Sequence, residues 1–189
     1  DQILELCDIT NGRTLVLFTA KEDLKYVYEK LNSIPTPWEK IFQAEGSSQS
    51  FAIEKFRKSK GVLFGTGVFW EGINIPGDDL SQVIIARLPF PVPIDPVMKY
   101  KFSKSKDHMR EIMLPEMLIR LRQGAGRLIR TETDTGILSI LDSRLSIKHN
   151  KFYRQTVLNM LPFKNFTENI EDVKTFASGK IKPKARSRG

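Results

Sequence analysis

Short, continuously apolar runs recur along this chain and alternate with segments of helical spacing. Leu15-Val16-Leu17-Phe18, Val62-Leu63-Phe64 and Val83-Ile84-Ile85 contain no polar residue, and Gly136 to Leu141 (GILSIL) contains one. A strand with one wet face alternates apolar and polar positions, so these runs predict strands buried on both faces. Such strands need helices above and below them, which makes a mainly parallel α/β sheet the expected architecture. Helical spacing predicts helices over 2–8, over 22–31 (Leu24, Val27, Tyr28, Leu31), over 51–56 with Phe51, Ile53 and Phe56 inward, and over 153–161. Trp38 to Phe42 predicts a weaker strand. Leu88 to Pro93 holds three prolines, which excludes a central strand or a helix. Asp95 and Pro96 are suited to begin the next helix. Parallel sheets bind ligands beyond the carboxyl ends of their strands, and Thr19, Thr66 with Gly67, and Asp142 fall at such ends.

The length of 189 residues is enough for one domain with a sizeable core, expected over 1–165, with a basic, flexible tail over 166–189. The opening amphipathic piece (Ile3, Leu4, Leu6, Ile9) suggests a cut inside a longer protein. No run is long enough to span a bilayer, so no membrane partner is expected. Cys7 is the only cysteine, which excludes an internal disulfide and an iron–sulfur cluster within this chain. His108 and His149 give no metal-site spacing. The net charge of +8 favours a polyanionic partner such as nucleic acid. Part of the surplus clusters at Lys99, Lys101, Lys104, Lys106 and Arg110, either as a DNA-facing patch or as a solvated face.

From Leu114 to Arg130 the chain reads LPEMLIRLRQGAGRLIR. Pro115 suits a first helical turn, and Leu118, Leu121, Ala125 and Leu128 form one apolar stripe. On an uninterrupted helix Gln123, Arg127 and Arg130 fall within roughly 40° of one another. Two readings stand: a solvated basic face, or a phosphate clamp, since guanidinium is a planar donor fork matched to phosphate oxygens. Gly124 and Gly126 each cost about 1 kcal/mol against alanine in a helix, which points to close approach of another backbone or a ligand.

No Gly-x-x-x-x-Gly-Lys-Ser/Thr phosphate loop (P-loop) occurs, and no strand ends in an Asp-Glu pair that would hold magnesium. The chain alone is therefore not a self-sufficient nucleotidase. Four segments in matching order resemble the DinG/XPD-like branch of superfamily 2 helicases. Gly12 to Ala20 (GRTLVLFTA) resembles motif IV, Gly65 to Gly77 (GTGVFWEGINIPG) motif V, and Gln123 to Arg130 (QGAGRLIR) motif VI. The connector from Arg87-Leu88-Pro89-Phe90 to Asp95-Pro96 is similar to that of bacterial DinG-type helicases.

The resemblance covers residues 12 to about 145. It implies the second RecA-like domain of a two-domain motor: a P-loop-NTPase-type fold without its own P-loop. ATP with Mg2+ would be held mainly by the first, N-terminal RecA-like domain of the same polypeptide. Arg127 and Arg130 would reach across to its β- and γ-phosphates as arginine fingers. Gln123, Gly126, Glu71, Gly72 and Asn74 would lie around the nucleotide. Asn74 stands where the family usually has Asp; it can accept a hydrogen bond, for instance from a ribose hydroxyl, but brings no charge. Thr19, Ala20 and Thr66 would contact phosphates of single-stranded DNA. Trp70 either stacks on a base or belongs to the core. The resemblance further implies a bacterial, cytoplasmic DNA-repair helicase, with the 189 residues alone inactive. The rivals are a RecA-like nucleic-acid-binding module uncoupled from ATP and a protein-interaction domain whose arginines form salt bridges.

Overall fold

The structure is a computed structural model that describes residues 1–43, 48–70, 75, 79–92, 96–129, 134–146, 148 and 151–181. Five strands, β1 (Thr14–Leu17), β2 (Lys40–Phe42), β3 (Val62–Gly65), β4 (Gln82–Ile85) and β5 (Ile137–Ile140), form one sheet in the order β2-β3-β1-β4-β5. Every pairing is parallel, with Leu15 beside both Leu63 and Val83, and Val83 beside Leu138. The helices are α1 (Gln2–Ile9), α2 (Lys21–Leu31), α3 (Gln49–Ser59), α4 (Pro96–Lys104), α5 (Leu114–Ala125), α6 (Lys151–Met160) and α7 (Ile170–Lys180).

Side chains of a strand alternate between faces, and the apolar runs divide accordingly. Leu15, Leu17, Leu63, Val83 and Ile85 pack with Ala52 and Phe56 of α3, Met117 and Leu121 of α5, and Val157 of α6. Val16, Phe18, Val62, Phe64 and Ile84 pack with Leu6 and Cys7 of α1 and Leu24 and Leu31 of α2. The expected parallel sheet covered on both faces is the one observed. All its strands point the same way, so their carboxyl ends share one edge.

At the opposite edge the turn before β1 holds three successive residues at positive φ: Asn11 (49°), Gly12 (82°) and Arg13 (48°). A Cβ on Gly12 would lie 2.3 Å from the Lys60 carbonyl oxygen. Only glycine lets this turn press against the start of β3. Cys7 is fully buried, and burial pushes its thiol pKa up, so it stays protonated and unreactive.

Three expectations change. Phe51 is 63% exposed; the inner stripe of α3 is Ala52 and Phe56, and Phe51 lies five residues, or about 140°, from Phe56. Ser48 caps this helix by accepting the Phe51 N–H at 3.2 Å. The tail expected to be flexible from 166 contains α7, whose cap Asn169 accepts from the Glu171 N–H. Ile170 packs against the α1–α2 side of the core, Ala177 is buried, Val173 and Phe176 are half-buried, and Lys174 pairs with Glu5 of α1 at 3.1 Å. Residues 182–189 lie outside the described ones. Finally, the motif-bearing helix stops at Ala125 instead of running to Arg130, and it is preceded by a π-helical turn over Met109–Met113.

Candidate functional site

The carboxyl edge of the sheet holds several of the residues singled out in the sequence. Past β1, the Phe18 N–H donates to the Gly65 carbonyl (2.9 Å), and the Ala86 N–H to the Leu17 carbonyl (3.0 Å). The ladder therefore continues one residue beyond the strands. Thr19 is exposed, and Ala20 is extended (φ −128°, ψ 146°) as the residue that starts α2. Asp23, in the first turn of α2, pairs with Arg87 beyond β4 at 3.6 Å.

Past β3, Thr66 is buried, and both its N–H (2.7 Å) and its hydroxyl (3.3 Å) donate to Gln43 Oε1 at the end of β2. The Thr66 hydroxyl thus serves the joint between two strand ends and is turned away from solvent. Sequence reading passed over Gln43; its signal was a polar residue ending the weakest strand. A single helical turn over Gly67–Phe69 then leads to Trp70.

Trp70 is 7% exposed. Its indole Nε1–H donates to the Phe18 carbonyl oxygen at 2.8 Å. A Cβ on Gly124 would come within 3.0 Å of the Trp70 ring and 3.4 Å of Leu17. Of its two sequence readings the structure has the core one: the indole is buried in the core, with α5 packed against it at Gly124. What approaches that glycine is an aromatic side chain, not the backbone or ligand expected.

After Ala125 the helix tightens into i→i−3 bonds, Arg127 N–H to Gly124 (3.3 Å) and Leu128 N–H to Ala125 (3.0 Å). Gln123 therefore sits exposed on the last helical turn, while half-buried Arg127 sits in the following turn. They do not share one face of a continuous helix. Two glycines so close to the end, each unfavourable in a helix, explain the early stop. Arg127 Nη2 donates to the Trp70 carbonyl oxygen at 3.3 Å, which seats the guanidinium beside the motif that follows β3. Gly126 ends α5 with its N–H on the Arg122 carbonyl (2.8 Å). Arg130, Glu71, Gly72, Asn74 and Asp95 lie outside the described residues.

Past β5, Asp142 does structural work. Its carboxylate accepts the Leu88 N–H (2.9 Å), the Arg144 N–H (3.0 Å) and the Arg144 guanidinium at Nε (2.8 Å) and Nη2 (2.5 Å). Arg144 in turn lies 4.7 Å over the ring of Phe90. The proline connector is thereby clasped to the strand end. Burial pushes the Asp142 carboxyl up, but the hydrogen bonds from Arg144 and Leu88 outweigh it and hold the pKa below the usual value. A lowered carboxylate pKa stabilises the fold above the unfolded value, about 3.9, and that stability is lost as pH falls through the folded value. Asp142→Asn is expected to cost about 1–2 kcal/mol at pH 7, or roughly 3–6 °C in Tm. Thermal melts should show this gap narrowing below about pH 4.

The lysine cluster is partly neutralised, by Lys101–Glu116 (2.6 Å) and Arg110–Asp107 (3.7 Å). Among the described residues no group of three or more His, Cys, Asp or Glu side chains could hold a metal ion, and no helix is long and apolar enough to cross a membrane. The guanidinium of Arg127 is donor-only, which suits phosphate oxygens and not a cation.

Comparison with known proteins places the chain in a family. A helicase C-terminal domain model matches residues 3–170. An ATP-dependent DNA helicase YoaA of Haemophilus influenzae is 32% identical over 182 residues, covering 94% of this chain and 28% of the relative. A 3'-5' exonuclease DinG of Bacillus subtilis is 34% identical over 176 residues, covering 88% and 19%. The chain thus spans less than a third of these relatives. A solved XPD helicase superimposes with a TM-score of 0.66 at 24% identity, over 84% of this chain and 30% of that one. Saccharomyces cerevisiae Dbp5 bound to RNA and ADP BeF3 superimposes with a TM-score of 0.60 at 18% identity, over 94% and 40%. The fold is RecA-like, and the chain belongs to the helicase C-terminal domain family.

Proposed function

We propose that this chain is the second motor domain of an ATP-dependent, DinG-like DNA helicase. Arg127 and Arg130 supply guanidinium donors to the triphosphate of ATP held with Mg2+ on the first RecA-like domain. Gln123, Gly126, Glu71, Gly72 and Asn74 line the same nucleotide. Thr19 and Ala20 contact phosphates of single-stranded DNA, a contact that positions the strand without reading its sequence. Thr66 acts through Gln43, holding the adjoining strand ends in place.

The observation that carries this reading is the contact between segments at one edge. The turn after β1 meets Trp70, and Trp70 meets Arg127. A guanidinium suited to phosphate and an exposed hydroxyl suited to a nucleic-acid backbone therefore sit on one connected unit. The +8 net charge favours the same polyanionic partner.

The test is ATP hydrolysis by the full-length protein, with and without single-stranded DNA. Hydrolysis is expected to rise on adding single-stranded DNA. DNA binding without any change in hydrolysis would replace the motor with an uncoupled nucleic-acid module. A parent sequence with no phosphate loop upstream would overturn the reading.

A further inference from the structure

We propose that Trp70 is a positioning residue that ties the DNA-facing turn after β1 to Arg127, so that occupancy of one is transmitted to the other. This rests on the motor reading above and adds to it the element that joins its two sites.

Trp70 is bound on three sides. Its indole N–H donates to the carbonyl of Phe18, the residue preceding Thr19 and Ala20, at 2.8 Å. Its ring fills the space that a side chain at Gly124 would occupy, 3.0 Å from where that Cβ would stand. Its own carbonyl accepts from Arg127 Nη2 at 3.3 Å. The ring is rigid and 7% exposed, so a shift of the turn at 18–20 cannot be absorbed in solvent. It displaces the indole, and with it the carbonyl that seats the guanidinium. Packed, hydrogen-bonded chains of this kind are the physical carriers of coupling between sites.

Trp38 supplies a control within the same chain. It is also buried, and its Nε1–H donates to Asp8 Oδ1 at 2.7 Å, so its indole N–H bonds to neither motif although the ring belongs to the same core layer as Val16 and Phe18. The difference between the two tryptophans lies in what their indoles bridge.

The experiment uses the full-length protein and its Trp70→Phe variant, which keeps an aromatic ring and deletes the N–H donor. The ratio of DNA-stimulated to unstimulated hydrolysis is expected to fall about fivefold, the factor matching one lost hydrogen bond. Val157→Ala, which trims a fully buried side chain on α6 in the same core, should lower Tm yet keep the ratio. Gly124→Ala, which crowds the ring without removing the donor, should also lower the ratio. In protein labelled with 5-fluorotryptophan, the fluorine resonance assigned to Trp70 should move on adding oligo-dT alone and on adding a non-hydrolysable ATP analogue alone. That of Trp38 should move with neither.

A full stimulation ratio in Trp70→Phe, an equal drop in Val157→Ala, or a Trp70 signal that ignores either bound ligand overturns the proposal and leaves the motor reading standing. A wild-type protein that binds oligo-dT and the analogue but shows no stimulation removes both.

Discussion

Replacing Arg127 with alanine in the full-length protein is expected to lower DNA-stimulated kcat by about 10³-fold or more while single-stranded DNA binding is largely kept. The magnitude is that of losing an arginine finger in other phosphoryl-transfer enzymes. The guanidinium stays charged at any working pH and can offer two donors to the oxygens on which charge accumulates. Arg127 is half-buried, and one of its nitrogens is already spent on the Trp70 carbonyl at 3.3 Å. It therefore approaches a phosphate from an anchored position, and little entropy is left to lose on binding. The same anchor is the rival explanation of any defect, because losing one neutral acceptor's partner costs about 1 kcal/mol of stability. The two effects separate cleanly. An anchor alone predicts a Tm lower by a few degrees and hydrolysis within about tenfold of wild type. A finger predicts the same small drop in Tm together with a collapse of kcat. Arg127→Lys should resemble the alanine variant in rate, since an ammonium keeps the charge but lacks the planar fork. Steady-state hydrolysis at saturating DNA, beside anisotropy of a labelled oligo-dT, reads both quantities.

The sheet was legible in the sequence because its strands are buried on both faces. Leu15–Phe18, Val62–Phe64 and Val83–Ile85 left no polar position to mislead the reading, and their parallel pairing followed; the strand order β2-β3-β1-β4-β5 is set by crossovers that these runs do not encode. What escaped was set by contacts distant in sequence. Phe51 looks like a core residue and is exposed, because Ala52, not Phe51, shares a face with Phe56. The α7 helix carries Ile170, Val173, Phe176 and Ala177 at helical spacing, a pattern too short to stand out beside the basic residues that follow it, and it docks through that stripe and the Lys174–Glu5 pair. At the site, the motif segments were legible, and their geometry was not. Periodicity carried α5 through to Arg130, whereas two glycines end it at Ala125 and set Arg127 in a turn. Composition left Trp70 between base and core; the Phe18 carbonyl and the missing side chain of Gly124, both remote along the chain, decide it. Gln43 carried no motif, and only folding brings it to Thr66.

The 189 residues on their own are expected to hydrolyse no ATP above background, a loss larger than that of any single substitution. Arginine fingers stabilise charge on a nucleotide already held in place; they neither cradle the triphosphate nor bind its magnesium. The sequence contains no phosphate loop. The nearest approach, Gly179-Lys180, lies in the last turn of α7, a helix end and not the loop between a strand and a helix that exposes backbone N–H groups to phosphate. Nor do the described residues gather the carboxylates that a magnesium ion needs. The same chain should keep weak affinity for single-stranded DNA, because that contact depends on its own strand ends and its +8 charge. The affinity should fall with salt by a log–log slope of about 0.7 for each phosphate neutralised. Phosphate release and oligo-dT binding, measured on one preparation, therefore give opposite results if the nucleotide site is shared between two domains. Adding the upstream RecA-like domain in trans should bring hydrolysis back, and Arg127→Ala in this chain should take it away again. Turnover by the chain alone at a rate near the full-length protein's would mean a complete site within these 189 residues and would end the shared-site argument.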